Sequence, residues 1–159
     1  MQQARPEPLL DELYRELILD HYKRPRNHVM PPNPQVRAEG YNPVCGDEVD
    51  MGIVFDGDKV ADLGLVGHGC SISQASGSMM SELVKGKSIS EVRRLTDEFK
   101  TMLTHPERGV PEDLGDLEAL HGVGKFAVRV KCATLAWHTL ADGIAQHEKG
   151  DGVVTHEES

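Results

Sequence analysis

The chain has 159 residues, enough for one ordinary domain that buries roughly two-thirds of its unfolded surface and folds without disulfide staples. With 38% hydrophobic and 27% charged residues it reads as a soluble globular protein, and 4% aromatic content is thin for a surface that stacks single-stranded nucleic acid. A formal charge of −9 argues further against nucleic acid or an anionic membrane as partner.

No window approaches the run of about 18 apolar residues of a membrane span, and the N-terminus lacks a basic-then-apolar signal pattern, so a cytoplasmic location is expected. Three cysteines cannot all pair within one chain, which fits a reducing compartment where thiols serve metal binding or chemistry.

Residues 1–8 hold two prolines and little apolar content and are expected to be flexible. From Leu9, the positions Leu10, Leu13, Tyr14, Leu17 and Ile18 recur at helical spacing until Pro25 stops them. Met30-Pro31-Pro32-Asn33-Pro34 is an extended linker. Residues 36–41 then read as a short strand that delivers Cys45 into the turn Asn42-Pro43-Val44-Cys45-Gly46-Asp47. Val49, Met51, Ile53 and Phe55 alternate with polar residues or glycine, Asp56-Gly57-Asp58 turns the chain, and 59–66 returns as the second arm of a hairpin.

That arm ends at Gly67-His68-Gly69-Cys70, and the small residues after it open a helix whose buried face carries Met79, Met80, Leu83 and Val84. Ser88 or Ser90 caps the next helix, with Val92, Leu95, Phe99 and Leu103 on its apolar stripe. Pro106, Gly109 and Pro111 break the chain before a short acidic helix over 113–120 and a loop at 121–124. The last helix begins near Val128 or Cys132 and carries Ala133, Ala136, Trp137, Leu140 and Ile144 at helical spacing. The acidic, glycine-bearing stretch 148–159 is expected to be a flexible tail, leaving 9–147 as a single domain.

Chemistry concentrates on Cys45, Asp47, Cys70 and Cys132. Three sulfurs and one oxygen make a ligand set suited to tetrahedral zinc, or to an iron–sulfur site with one weak ligand. Thiolate is the form that binds metal and attacks sulfur. Cys70 and Cys132 both read as first-turn helix residues, where free N–H groups and the helix dipole favour the anion. Arg129 and Lys131 add positive charge beside Cys132, and Cys45, in its turn, is the most reachable thiol.

Plainer readings compete with these. A lone cysteine is more often a small buried hydrophobe, and Asp47 alone is a turn former. Gaps of 24 and 61 residues between the cysteines match no short zinc signature. His68 reads as a polar residue in a glycine loop, and His138 and His147 as solvated residues on or after the last helix. Gly122-Val-Gly-Lys lacks the full phosphate-loop pattern, which excludes nucleotide binding on that motif.

Four segments together resemble one family. Leu13 to Asn27, Asn42-Pro-x-Cys-Gly-Asp47, Gly67-x-Gly-Cys-x-Ile-Ser-x-Ala-Ser76 and Arg129-Val-Lys-Cys-Ala-Thr-Leu-Ala-Trp-x-Thr-Leu140 are similar to the SufU branch of the IscU-like (NifU N-terminal-like) iron–sulfur assembly proteins. Lys131 stands where IscU scaffolds carry a ligating histidine, and residues 104–125 resemble the insertion typical of the SufU branch. Ala127 departs from the proline common in that branch.

The resemblance implies a zinc site of Cys45, Asp47, Cys70 and Cys132, and sulfur transfer in concert with a SufS-like cysteine desulfurase. Cys45 is the implied persulfide acceptor, and Arg129 the implied aid to docking or transfer. Downstream assembly factors or apo-proteins would receive the sulfur. The alternatives are a scaffold that assembles and hands on a [2Fe–2S] cluster, and a structural zinc module. The expected fold is α+β, with an antiparallel sheet of about three strands preceded by one helix and covered by several.

Overall fold

The computed structural model describes residues 7–158, with side chains from residue 12 onward. Helix α1 spans Glu7–Lys23, so residues 7 and 8, expected to be flexible, are helical; residues 1–6 lie outside the described part. Strands β1 (Val36–Asn42), β2 (Asp47–Asp56) and β3 (Lys59–His68) follow, then helices α2 (Ser71–Val84) and α3 (Ile89–Thr104). Two 3-10 segments, Pro106–Arg108 and Gly115–Lys125, lead to α4 (Ala127–Lys149) and β4 (Gly152–Glu157). The short helix expected over 113–120 and the loop after it are thus one 3-10 run, with Leu117 and Leu120 buried.

The sheet has four strands in the order β3-β2-β1-β4, one more than expected. β1, β2 and β3 pair antiparallel, as their alternation and short turns dictate. β4 is parallel to β1, with Val36 opposite Gly152 and Tyr41 opposite Glu157. The tail expected to be flexible therefore closes the sheet edge. Its two adjacent valines give a weak strand signal; the strand forms because β1 offers an unpaired edge and because Val154 and Glu158 find burial there.

α2 and α4 pack on the sheet, and Trp137 of α4 stacks on Phe99 of α3 with centroids 5.0 Å apart, a pair worth about 0.5–1.5 kcal/mol beyond its buried area. α3 is fixed by an N-cap: Ser88 Oγ accepts from the Glu91 N–H at 3.2 Å, with Val92, Leu95, Phe99 and Leu103 inward. α1 docks through His21, fully buried, whose ring nitrogens meet Ser78 Oγ at 2.7 Å and Asp116 Oδ2 at 3.0 Å. The proline-rich linker crosses β2 and β3 at Gly52 and Gly64, which face each other in the ladder and leave room for Met30 and Pro31. Among the described residues no helix is long and apolar enough to cross a membrane.

α4 starts without a side-chain cap: Phe126, in extended conformation with φ −126° and ψ 101°, precedes Ala127. Proline suits the first helical position, and an extended preceding residue tolerates it. Ala127→Pro is therefore expected to stabilise the fold by about 0.4–1 kcal/mol through the unfolded chain. That corresponds to a rise in Tm of about 1–4 °C in thermal melts; a lower Tm would mean that the Ala127 N–H has a partner it cannot lose.

Candidate metal centre

The four expected ligands converge at one end of the sheet, from three separate elements. Cys45 sits in the β1–β2 turn, which closes as the Gly46 N–H donates to the Asn42 carbonyl at 2.8 Å and Gly46 adopts φ 73°. The Asn42 side chain accepts from the Val44 N–H at 3.2 Å, so the turn is held from both sides of the cysteine. Asp47, the first residue of β2, is fully buried, whereas Cys45 is exposed. Two residues of chain thus separate a reachable thiol from an enclosed carboxylate.

Cys70 is the N-cap of α2, and its Sγ accepts from the Ser73 N–H at 3.4 Å. This matches the expected helix-start environment, in which free N–H groups favour the anion. Cys132 does not: it lies six residues into α4, buried, with Val128 O 3.7 Å from its sulfur. Of the two expected starts, Val128 is one residue from the observed Ala127 and Cys132 is too late, because the residues before it pack too, Val130 against the core. Burial first, then the hydrogen bond to Cys45 and the charge of Cys70, push the Cys132 thiol well above its ordinary range.

The sulfurs of Cys132 and Cys45 are 3.3 Å apart, and the ligand atoms of Cys45, Asp47 and Cys132 all lie within 4.8 Å of one another. Cys70 stands at the edge of this group. Its Sγ is 4.0 Å from Asp47 Oδ2, while its N–H donates to Asp47 Oδ1 at 2.9 Å. Gly69 makes that approach possible, since a Cβ there would come within 2.5 Å of Asp47 Oδ1. Its role is visible in the sequence only as a second glycine ahead of the cysteine.

Arg129 is exposed, and its guanidinium is raised further above its ordinary value by the charge of Cys70 and then of Cys132. The expected cation therefore does face the sulfurs. An apolar groove lined by Tyr14, Ile18, Leu19, Ile72, Val123 and Phe126 opens beside it, with Arg129 in its wall. His68 is exposed, 3.4 Å from Glu48, consistent with a loop residue.

Three sulfurs and a carboxylate oxygen, each anionic in its ligating form, are crowded into one partly buried corner. The Cys132 thiol resists ionisation there without a positive partner. A soft divalent cation resolves that conflict, and an S3O donor set fits zinc; the residues present fit the group.

His138 and His147, expected to be solvated, are both partly buried and partnered. His138 and His156 both contact the carboxylate of Glu158, and His147 stacks on Phe55 with centroids 3.7 Å apart.

Residues 13–151 match the family described as NifU-like N terminal domain. The chain is 46% identical over 141 residues to the zinc-dependent sulfurtransferase SufU of Bacillus subtilis, an alignment covering 89% of this chain and 95% of that one. It is 41% identical over 143 residues to the iron-sulfur cluster assembly scaffold protein IscU of Streptococcus pyogenes, covering 87% and 89% of the two chains. Among solved structures it is similar to FiSufU of Fervidobacterium islandicum, with a TM-score of 0.75 and 35% identity over 81% of this chain and 94% of that one. By sequence along most of its length and by fold, the chain belongs to the NifU-like N-terminal domain family, among its SufU- and IscU-like members.

Proposed function

We propose that this protein serves iron–sulfur cluster assembly as a zinc-dependent sulfur acceptor, with Cys45, Asp47, Cys70 and Cys132 as the zinc ligands. A cytoplasmic, SufS-like cysteine desulfurase is the donor. The observation that carries the reading is the unequal exposure of the three sulfurs. Cys132 is buried in α4, Cys70 is bound into the α2 cap, and Cys45 alone of the three is exposed, on a turn. The sulfur that can leave the site without dismantling a helix is also the one a partner can reach. Similarity to a zinc-dependent sulfurtransferase supports the same choice.

Bound zinc would hold the thiolates deprotonated at neutral pH while remaining redox-inert. The transfer itself belongs to Cys45. Its thiolate attacks the outer sulfur of the desulfurase persulfide; a new S–S bond forms on Cys45, the S–S bond on the donor breaks, and the donor cysteine departs as thiolate. The proton of the outer sulfur stays with the new Cys45 persulfide. Arg129, facing Cys70 and Cys132 from the surface, supplies positive charge where this anionic exchange takes place.

Similarity to an IscU scaffold keeps a second reading in view, assembly of a [2Fe–2S] cluster on the same four side chains. Lys131 in place of a histidine weighs against it, since the fifth donor of that pattern is missing.

Cys45→Ala is expected to fold and to reduce stimulation of the desulfurase to background in a coupled sulfide-release assay. Full stimulation by that variant would remove Cys45 as the acceptor. Elemental analysis of the purified protein should give zinc bound at the cysteines, whereas iron with acid-labile sulfide after anaerobic purification would favour the scaffold. Asp47→Ala is expected to weaken zinc retention by about 10-fold or more in a chelator competition. Unchanged retention would mean that Asp47 is not a ligand.

A further inference from the structure

A second cluster of metal-ligating side chains lies away from the cysteines, where β4 meets α4. His138 projects from α4, and His156 and Glu158 come from the C-terminal strand and the residue after it. His138 Nδ1 is 2.8 Å and His156 Nε2 is 2.9 Å from the same oxygen of Glu158, Oε1. The Glu158 side chain is only 6% exposed, and its other oxygen accepts from Thr134 Oγ1 at 2.9 Å. His156 and Glu158 lie beyond residues 13–151, the part that matches the family, whereas His138 and Asp142 lie within it.

Hydrogen-bond accounting shows what is missing. His156 has a carboxylate at each ring nitrogen: Asp142 Oδ2 is 2.9 Å from Nδ1, and Glu158 Oε1 is 2.9 Å from Nε2. A neutral imidazole carries one N–H and satisfies only one of them. Two carboxylates and two neutral rings also leave a net double negative charge in a half-buried place, which is costly unless paired. A divalent cation on Nε2 answers both, with the Nδ1–H donated to Asp142 in the carboxylate–histidine–metal arrangement that fixes ring orientation.

We propose that His138, His156 and Glu158 form a second metal site, for a divalent transition cation of the zinc class, with Asp142 orienting His156. Two histidines and one glutamate leave a fourth position for solvent, the donor set of an open zinc site. The ligand atoms lie within 4.8 Å of one another without rearrangement. The cation would staple β4, held by one neighbour in the sheet, to the helix that carries Cys132. The proposal stands independently of sulfur transfer.

Cobalt(II) titration of the untagged, metal-free protein tests it, because the two sites absorb differently. Thiolate-to-cobalt charge transfer reports the cysteines, and ligand-field bands alone report a histidine–carboxylate site. The expected result is a second equivalent that adds ligand-field absorbance after the charge-transfer band has saturated. His156→Ala and Glu158→Gln should each abolish that equivalent while leaving the charge-transfer band intact. The glutamine keeps the size and one acceptor of Glu158, so it decides the matter if the alanine variant fails to fold. Zinc at ten times its dissociation constant for this site should also slow amide exchange in residues 152–157 about tenfold, with no slowing in Glu158→Gln. Binding that stops at the thiolate site, or a second equivalent indifferent to both substitutions, would overturn the proposal.

Discussion

The contact between the buried carboxylate of Asp47 and the N–H of Cys70, at 2.9 Å, joins the two halves of the cysteine corner. One half is the β1–β2 turn with Cys45; the other is the start of α2. A carboxylate removed from water costs several kcal/mol, and one charge-assisted hydrogen bond returns about 1.5–3 kcal/mol. The remainder has to come from positive charge. Arg129 lies on the solvent side, against Cys70 and Cys132, so the interior of the corner is left to a cation. Asp47 is thus both the strut that holds the corner together and a reason for the corner to bind metal.

The three cysteines divide the demands that such a site makes. A metal needs fixed ligands, and a sulfur acceptor needs a free one. Cys132 is fixed by its full burial within α4. Cys70 is fixed by capping, since moving it would leave the Ser73 N–H without its acceptor. Cys45 sits in a short turn whose backbone hydrogen bonds run through Asn42, and its sulfur meets only that of Cys132, at 3.3 Å, among the hydrogen bonds of the described residues. On the proposed ligand set, exchange of Cys45 against two cysteines that stay would follow from where each cysteine falls in secondary structure.

The same distinction explains what the sequence reveals. The turn at 42–47, the cap at Ser88 and the β2–β3 alternation are local, because a few adjacent residues determine each one, and all are legible. The start of α4 is legible only as a choice between Val128 and Cys132, the first of which is one residue from Ala127. Phe126 makes no side-chain cap, and the helix boundary is set by which residues find partners in the core, so Cys132 lies deeper in the helix than its flanking cations suggest. Strand β4 was the least visible element. Its pairing partner is β1, more than 100 residues earlier, and the group that anchors it, Glu158, reads as one more acid in an acidic tail. Gly69 is intermediate: the residue is plain to see, but its purpose depends on Asp47, which reaches it from another strand.

α4 connects these features physically. Cys132 and His138 are six residues apart on it, about 9 Å along the axis, so whatever steadies one end of that span limits motion at the other. Thr134, between them, bonds Glu158, and its backbone neighbour Ala133 accepts from Ser76 of α2 at 2.6 Å. The helix is therefore tied on one side to the tail strand and on the other to the helix that begins at Cys70. Two of the three sulfurs stand on elements joined by a buried hydrogen bond, and the third stands on a turn outside that frame.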